Sequence, residues 1–200
     1  MLRCGRRTCV DDASIGGGTR LQAFLTGRQW KFCIIGGIAL LRWGEPRFTR
    51  GVDVTLVSGF GREDELIAPF LESGYRGRVP DAAGFAHRNR VLLLTAPGGT
   101  PVDIALGGLP FEEEMVERSS LFEFTRGCRL RTCSAEDLII LKLFAFRPRD
   151  VLDVETVVVR QRGVLDWDHI ERHLGALSEL KEQPEIMATF AGLRGRYPPA

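Results

Sequence analysis

Short apolar runs separated by polar breaks mark this chain, and their rhythm changes once, at Ser134. Before that point strand-length runs recur at Lys31–Ile35, Val52–Val57, Tyr75–Val79, Arg90–Thr95 and Val102–Leu106. Shorter runs follow at Leu121–Phe124 and Arg129–Thr132. Helical spacing predicts a short helix around Leu21–Leu25 and another over Ile38–Trp43, ended by Gly44, Glu45 and Pro46. A third covers Arg62–Ser73, with Leu66, Ile67, Phe70 and Leu71 apolar, and a fourth lies near Phe111–Arg118. Asp81–Gly84 reads as a loop, and Pro97-Gly98-Gly99 as a hairpin turn. After Ser134 the pattern is helical over 134–146, about 149–162, about 167–181 and near 185–195.

These elements predict an α/β (α+β) fold with a mixed αβ core over residues 19–133 and a helical region over 134–200. Residues 1–18 are polar and basic and end in Gly16-Gly17-Gly18, which reads as a loose N-terminal arm. Two hundred residues suffice for one domain with a sizeable core. The formal net charge of +1 removes any global electrostatic footprint for nucleic acid or membrane. The arginine clusters at 3, 6 and 7 and at 126, 129 and 131 then read as solvated faces.

Five cysteines, with no hydrophobic signal segment ahead of them, argue against a disulfide framework and for a reducing cytoplasmic setting. The equal spacing of Cys4/Cys9 and Cys128/Cys133 suggests zinc ligands only weakly. Small buried side chains are the better reading. No apolar run has membrane-spanning length.

Candidate chemistry begins at Gly36-Gly37, which follows a buried strand. Glycines there let the backbone approach a ligand, and the next helix offers free N–H groups to phosphate. Val52-Asp53-Val54 and Val102-Asp103-Ile104 repeat an apolar-Asp-apolar pattern. Strand alternation puts Gly51, Asp53 and Thr55 on one face, with the valines and Leu56 in the core. Two aspartates on neighbouring strands repel unless a cation lies between them, and Mg²⁺ suits such an oxygen-only site.

Only three of the 27 basic residues are lysine, at 31, 142 and 181. Lys142 stands in the apolar run Leu138–Phe146, where its ammonium needs a partner or an opening. Pairing with Asp150 or Asp153 is one reading; a point charge aimed at a triphosphate is the other and is preferred. Ser134 and Asp137 form a candidate helix cap. Arg147, Arg149, Asp150 and Asp153 cluster behind Pro148 and suit an interhelix ion-pair network. His169 and His173, one helical turn apart, lack the glutamate placement of a metallohydrolase and are expected on an exposed helix face.

Taken together these residues resemble the nucleotidyltransferases of the DNA polymerase β superfamily, and within it the abortive-infection (AbiEii-like) toxin group of bacterial toxin–antitoxin systems. The resemblance rests on Gly36-Gly37, Pro46-Arg47-Phe48-Thr49, Val52-Asp53-Val54, Val102-Asp103-Ile104, Ser134 to Lys142, Arg147, and Asp150 to Asp153, between about 30 and 165. It implies a mixed-sheet nucleotidyltransferase core followed by a C-terminal helical part. It also implies Mg²⁺- or Mn²⁺-dependent transfer of a nucleotide from a nucleoside triphosphate to an acceptor hydroxyl, with tRNA as an implied acceptor and an antitoxin as an implied partner.

Carried over residue by residue, Asp53 and Asp103 would hold metal, and Gly36, Gly37, Arg47, Thr49, Lys142, Arg147 and Asp150 would bind nucleotide. Asp53, Asp103 and Lys142 form the catalytic set. The family pattern places a third carboxylate two positions before Asp53, where this chain has Gly51. Two readings therefore stand: a nucleotidyltransferase impaired by Gly51, or a nucleotide-binding or protein-interaction module without turnover.

Overall fold

The computed structural model describes residues 12–198, and the predicted strand alternation organises it. Helix α1 (Asp12–Gly27), strand β1 (Phe32–Ile35), helix α2 (Gly36–Trp43) and strand β2 (Val52–Val57) come first. Helix α3 (Glu63–Glu72), a two-residue β3 (Arg76–Gly77), helix α4 (Ala82–Asn89), strand β4 (Val91–Thr95) and strand β5 (Pro101–Gly107) follow. Helix α5 (Pro110–Arg118), strands β6 (Ser120–Thr125) and β7 (Cys128–Thr132), and helices α6 (Ala135–Ala145), α7 (Pro148–Arg160), α8 (Trp167–Lys181) and α9 (Glu185–Arg196) complete the chain.

The strands form one mixed sheet in the order β3-β4-β5-β2-β1-β7-β6. β2 runs parallel to β5 and β1 parallel to β7; the remaining pairs are antiparallel. Val52, Val54, Leu56, Leu92, Leu94, Val102, Ile104 and Leu106 all point to one side. There they pack with Ile15, Leu21 and Leu25 of α1, Ile67 and Phe70 of α3, and Ala82 and Ala86 of α4. On the other side a second core joins Cys33 and Ala39 to Leu138, Ile139 and Leu143 of α6, Val154 and Val157 of α7, and α8 and α9. Asp53, Asp103 and Leu93 lie on this second side and are only half-buried. The open patch they leave is where the site forms.

The β4–β5 hairpin closes through Ala96 N–H to Thr100 O at 2.8 Å, with Gly98 and Gly99 at φ +106° and +88°. Those angles require glycine-like freedom.

The structure corrects the expected arm. Residues 12–18 are the first turns of α1, and the glycine run that suggested looseness serves packing instead. A Cβ at Gly17 would fall 2.7 Å from the Thr100 methyl, so glycine lets the helix lie close on the sheet. Residues 1–11, including Cys4 and Cys9, lie outside the described residues. Asp81–Gly84 is likewise not a loop: Asp81 caps α4, its carboxylate accepting from Gly84 N–H at 2.9 Å. The strand expected over Tyr75–Val79 shrinks to Arg76–Gly77.

The expected exposed face for His169 and His173 is also overturned. His169 is 3% exposed and meets the fully buried Asp137 at 3.0 Å. Asp137 also accepts from Ser134 Oγ at 2.8 Å, while Ser134 Oγ caps α6 by accepting from Asp137 N–H at 3.1 Å. His169 therefore belongs to the joint between α6 and α8, while His173 packs on Phe111 and pairs with Glu114 of α5, and an isolated apolar/polar pattern could not reveal that their helix face is covered. No helix among the described residues is long and apolar enough to cross a membrane.

Candidate active site

The strand-to-helix turn comes first because its geometry follows from two glycines. Gly36 has φ +61°, and a Cβ there would fall 2.1 Å from Asp53 Oδ2. A Cβ at Gly37 would fall 2.4 Å from Thr49 Oγ1. Without side chains at either position, the start of α2 settles directly over Asp53, and Gly37 N–H donates to Asp53 Oδ2 at 3.4 Å. Thr49 is buried beside the turn, and its hydroxyl reaches Gly51 O at 3.5 Å.

Asp53 and Asp103 are direct register partners on the parallel pair β2 and β5, so both carboxylates emerge abreast on the same face. Burial pushes the Asp53 carboxyl above its ordinary value, and the Asp103 charge pushes it further. The Gly37 N–H, Lys142 and Arg147 oppose that shift without cancelling it. Asp103 is also raised by burial, against the pull of Arg78, whose guanidinium forms a salt bridge with it. No group of three or more His, Cys, Asp or Glu side chains placed to hold a metal occurs among the described residues.

Gly51 lies on the same face one strand step from Asp53, and a Cβ there would fall 3.0 Å from Pro101 O. The backbone of β5 has closed toward the space a third carboxylate would leave through.

Lys142 is resolved by its partners. Its Nζ donates to Asp150 Oδ1 at 3.0 Å and Asp153 Oδ2 at 2.6 Å, and all three side chains are buried. The preferred reading of an ammonium directed at phosphate gives way to the paired one, because two buried carboxylates already satisfy the charge. Arg47 donates to Asp153 through Nη2 at 2.8 Å, and Arg147 donates to Asp150 through Nε. Burial raises Asp150 and Asp153, but hydrogen bonds from Arg147 and Lys142 to the first, and from Arg47 and Lys142 to the second, leave both below the ordinary range. Pro148 starts α7 at the expected first turn.

Two recesses meet at Asp53. One, of about 260 Å³, is lined by Asp53, Asp103, Lys142 and an apolar wall that includes Val91, Ala105, Leu138, Leu141 and Ala145. The other, of about 310 Å³, is polar and lined by Gly37, Arg47, Thr49, Asp53, Arg147, Arg149 and Asp150. Of the nine residues singled out for catalysis or nucleotide binding, all nine line one recess or both. Sequence reasoning did not assign Arg78, Arg149 or the apolar wall to the site.

A mixed sheet with a glycine turn over a strand aspartate is the architecture of nucleotidyltransferase folds, and solved structures agree. A nucleotidyltransferase-like antigenic protein from Paracoccidioides brasiliensis superposes with a TM-score of 0.52 at 17% identity, over 91% of this chain and 94% of that one. The antibiotic-resistance factor ANT(2'')-Ia superposes with a TM-score of 0.54 at 15% identity, over 94% and 98%. A search of curated proteins finds no match.

The family model described as "Nucleotidyl transferase AbiEii toxin, Type IV TA system" matches residues 29–174, well over half of the chain. The protein belongs to that family.

Proposed function

We propose that this protein binds a nucleoside triphosphate and transfers its nucleotide to an acceptor hydroxyl. The observation that carries this reading is the position of Asp53, at the junction of a basic polar cleft and an apolar recess and abreast of Asp103. The triphosphate lies in the cleft, against Gly37 N–H, Arg47, Thr49, Arg147 and Arg149. Arginine forks and helix N-terminal N–H groups both suit phosphate oxygens. The acceptor enters through the apolar recess, beside Asp103.

In the reaction the acceptor oxygen bonds to the α-phosphorus and the bond from that phosphorus to the bridging oxygen breaks. Pyrophosphate leaves, and the hydroxyl proton passes to Asp103 and then to solvent. Lys142 acts as a positioning residue: it holds Asp150 and Asp153, which in turn orient Arg147 and Arg47.

Asp53 and Asp103 fit one hard divalent ion, since Mg²⁺ is commonly held by one or two carboxylates together with phosphates and water. Burial first, and the neighbouring Asp103 charge second, raise the Asp53 carboxyl, and both are relieved by positive charge placed there. A Mg²⁺ or Mn²⁺ ion held there by Asp53 and Asp103 would supply charge neutralisation for phosphoryl transfer. A site for two such ions is not matched by the donors among the described residues.

Family membership makes an RNA hydroxyl, the tRNA end first, the acceptor to test, and an antitoxin the partner to seek. Transfer of label from radioactive NTP should be slow in the wild type and faster in Gly51→Asp, provided Pro101 yields a few tenths of an ångström. A second reading, a nucleotide-binding module without turnover, is favoured by Gly51 and by the engagement of Asp103 with Arg78. Measurable NTP binding with no transfer by either form would select it. Absence of NTP binding by calorimetry, with Asp53→Ala as control, would reject both.

A further inference from the structure

One row of residues crosses the sheet through the site. Arg78 N–H donates to Leu93 O at 3.0 Å, Leu93 is the register partner of Asp103, and Asp103 is the register partner of Asp53. Register partners share a face, so Leu93, Asp103 and Asp53 emerge in line, and Arg78 is tied to the end of that row by its backbone. The Arg78 side chain closes on Asp103, with about a third of its own surface still exposed (34%). Of the two carboxylates abreast, Asp103 therefore carries a built-in guanidinium, and the free face of the pair belongs to Asp53.

We propose that Arg78 is a resident cation of the site, neutralising Asp103 so that the Asp53–Asp103 pair takes no more than one divalent ion. The inference rests on the nucleotidyl-transfer reading above and deepens it: a chain without a carboxylate at position 51 meets part of the site's demand for positive charge with a guanidinium of its own. Three features fit together. Gly51 removes one negative charge, β5 closes against that position at Pro101 O, and Arg78 adds one positive charge at Asp103. The guanidinium is always protonated, cannot dissociate, and presents fixed donors to a carboxylate. It holds Asp103 in one orientation beside the apolar recess and leaves the pair to take a single divalent ion, chiefly through Asp53.

The test is a Mn²⁺ titration of the full chain, following free Mn²⁺ by electron paramagnetic resonance, with and without a non-hydrolysable α,β-methylene NTP. Wild type should take no more than one Mn²⁺. Arg78→Gln should gain a second, or bind the first at least about tenfold tighter, because one neighbouring like charge is gone. Arg78→Lys keeps the charge and should restore the wild-type titration, which a purely structural role for the side chain would not require.

Two Mn²⁺ ions in the wild type, or an Arg78→Gln titration identical to it, would overturn the proposal. Should Arg78→Gln not fold, Asp103→Asn supplies the second arm. It removes the carboxylate that Arg78 neutralises, and the proposal requires the single Mn²⁺ on Asp53 to weaken rather than vanish; complete loss would overturn it. Nucleotide binding is read separately by fluorescence of the analogue. If the analogue does not bind, the transfer reading fails while the Mn²⁺ counts still decide the role of Arg78.

Discussion

Two charged clusters share the walls of the same cleft, and they are balanced in opposite ways. Around Lys142, three cations (Arg47, Lys142, Arg147) enclose two buried carboxylates, Asp150 and Asp153, and both carboxyls are held below their ordinary values. Across the cleft, Asp103 is paired with one guanidinium and Asp53 feels Lys142 and Arg147 only at a distance, and both carboxyls are raised, chiefly by burial. The first arrangement satisfies both of its carboxylates within the chain and keeps one positive charge in excess, on the side where the polar recess opens. The second is short of positive charge, and the partial burial of its carboxylates adds to the cost. Carboxylates satisfied from within build the scaffold here, and carboxylates short of a partner mark a place for a cation.

The largest expected break in this contrast comes from Lys142→Met. It strands two buried carboxylates and should cost about 3–5 kcal/mol, a fall in Tm of roughly 10 °C by thermal unfolding. Its pH signature follows from the lowered carboxyls. Their contribution is fully present above the ordinary value of 3.8 and is lost as pH falls through the lower folded values. The variant should therefore lose most at neutral pH and converge on wild type in acid. A constant difference across that range would show that the ion network is not the cause.

Asp53→Asn should act in the opposite sense on stability while removing function. Nucleotide transfer should drop by on the order of 10²-fold or more. The folded protein holds the Asp53 proton more tightly than the unfolded chain does, so the ionised carboxylate costs stability above pH 3.8. The asparagine variant should melt higher at pH 7, with the gain vanishing below that value. A lower Tm at pH 7 would mean that Asp53 is as well compensated as Asp150.

The smallest effect is expected at Arg149, which is exposed in the polar recess. Arg149→Ala should weaken NTP binding roughly tenfold, the worth of one charge-assisted hydrogen bond. Its Tm should stay within about 1–2 °C of wild type, as for a surface substitution. An unchanged Kd would move the triphosphate out of that cleft.

Much of this was readable in the chain. Strand alternation set which side of β2 and β5 carries aspartate, and the Gly36-Gly37 turn followed from its place after a buried strand. The paired state of Lys142 was visible as one of two alternatives, but spacing along α6 cannot report whether Asp153 on the next helix points inward. Arg78 escaped for a different reason. β3 is only two residues long and α4 separates it from β4, so no tight turn fixes its register. The helical state of residues 12–18 was hidden because glycine signals flexibility locally, and only the neighbouring Thr100 makes its smallness useful.

The turn at Pro97-Gly98-Gly99 has a consequence for chemistry well away from itself. Side chains alternate along β5, so a change of length in that connection that slid β5 by one residue against its neighbours would rotate Val102 into the cleft and bury Asp103 among leucines. Reach and basicity at Asp103 are thus counted out by a loop that touches no substrate. Length variation there should be felt as lost activity before any change in the surrounding scaffold is seen.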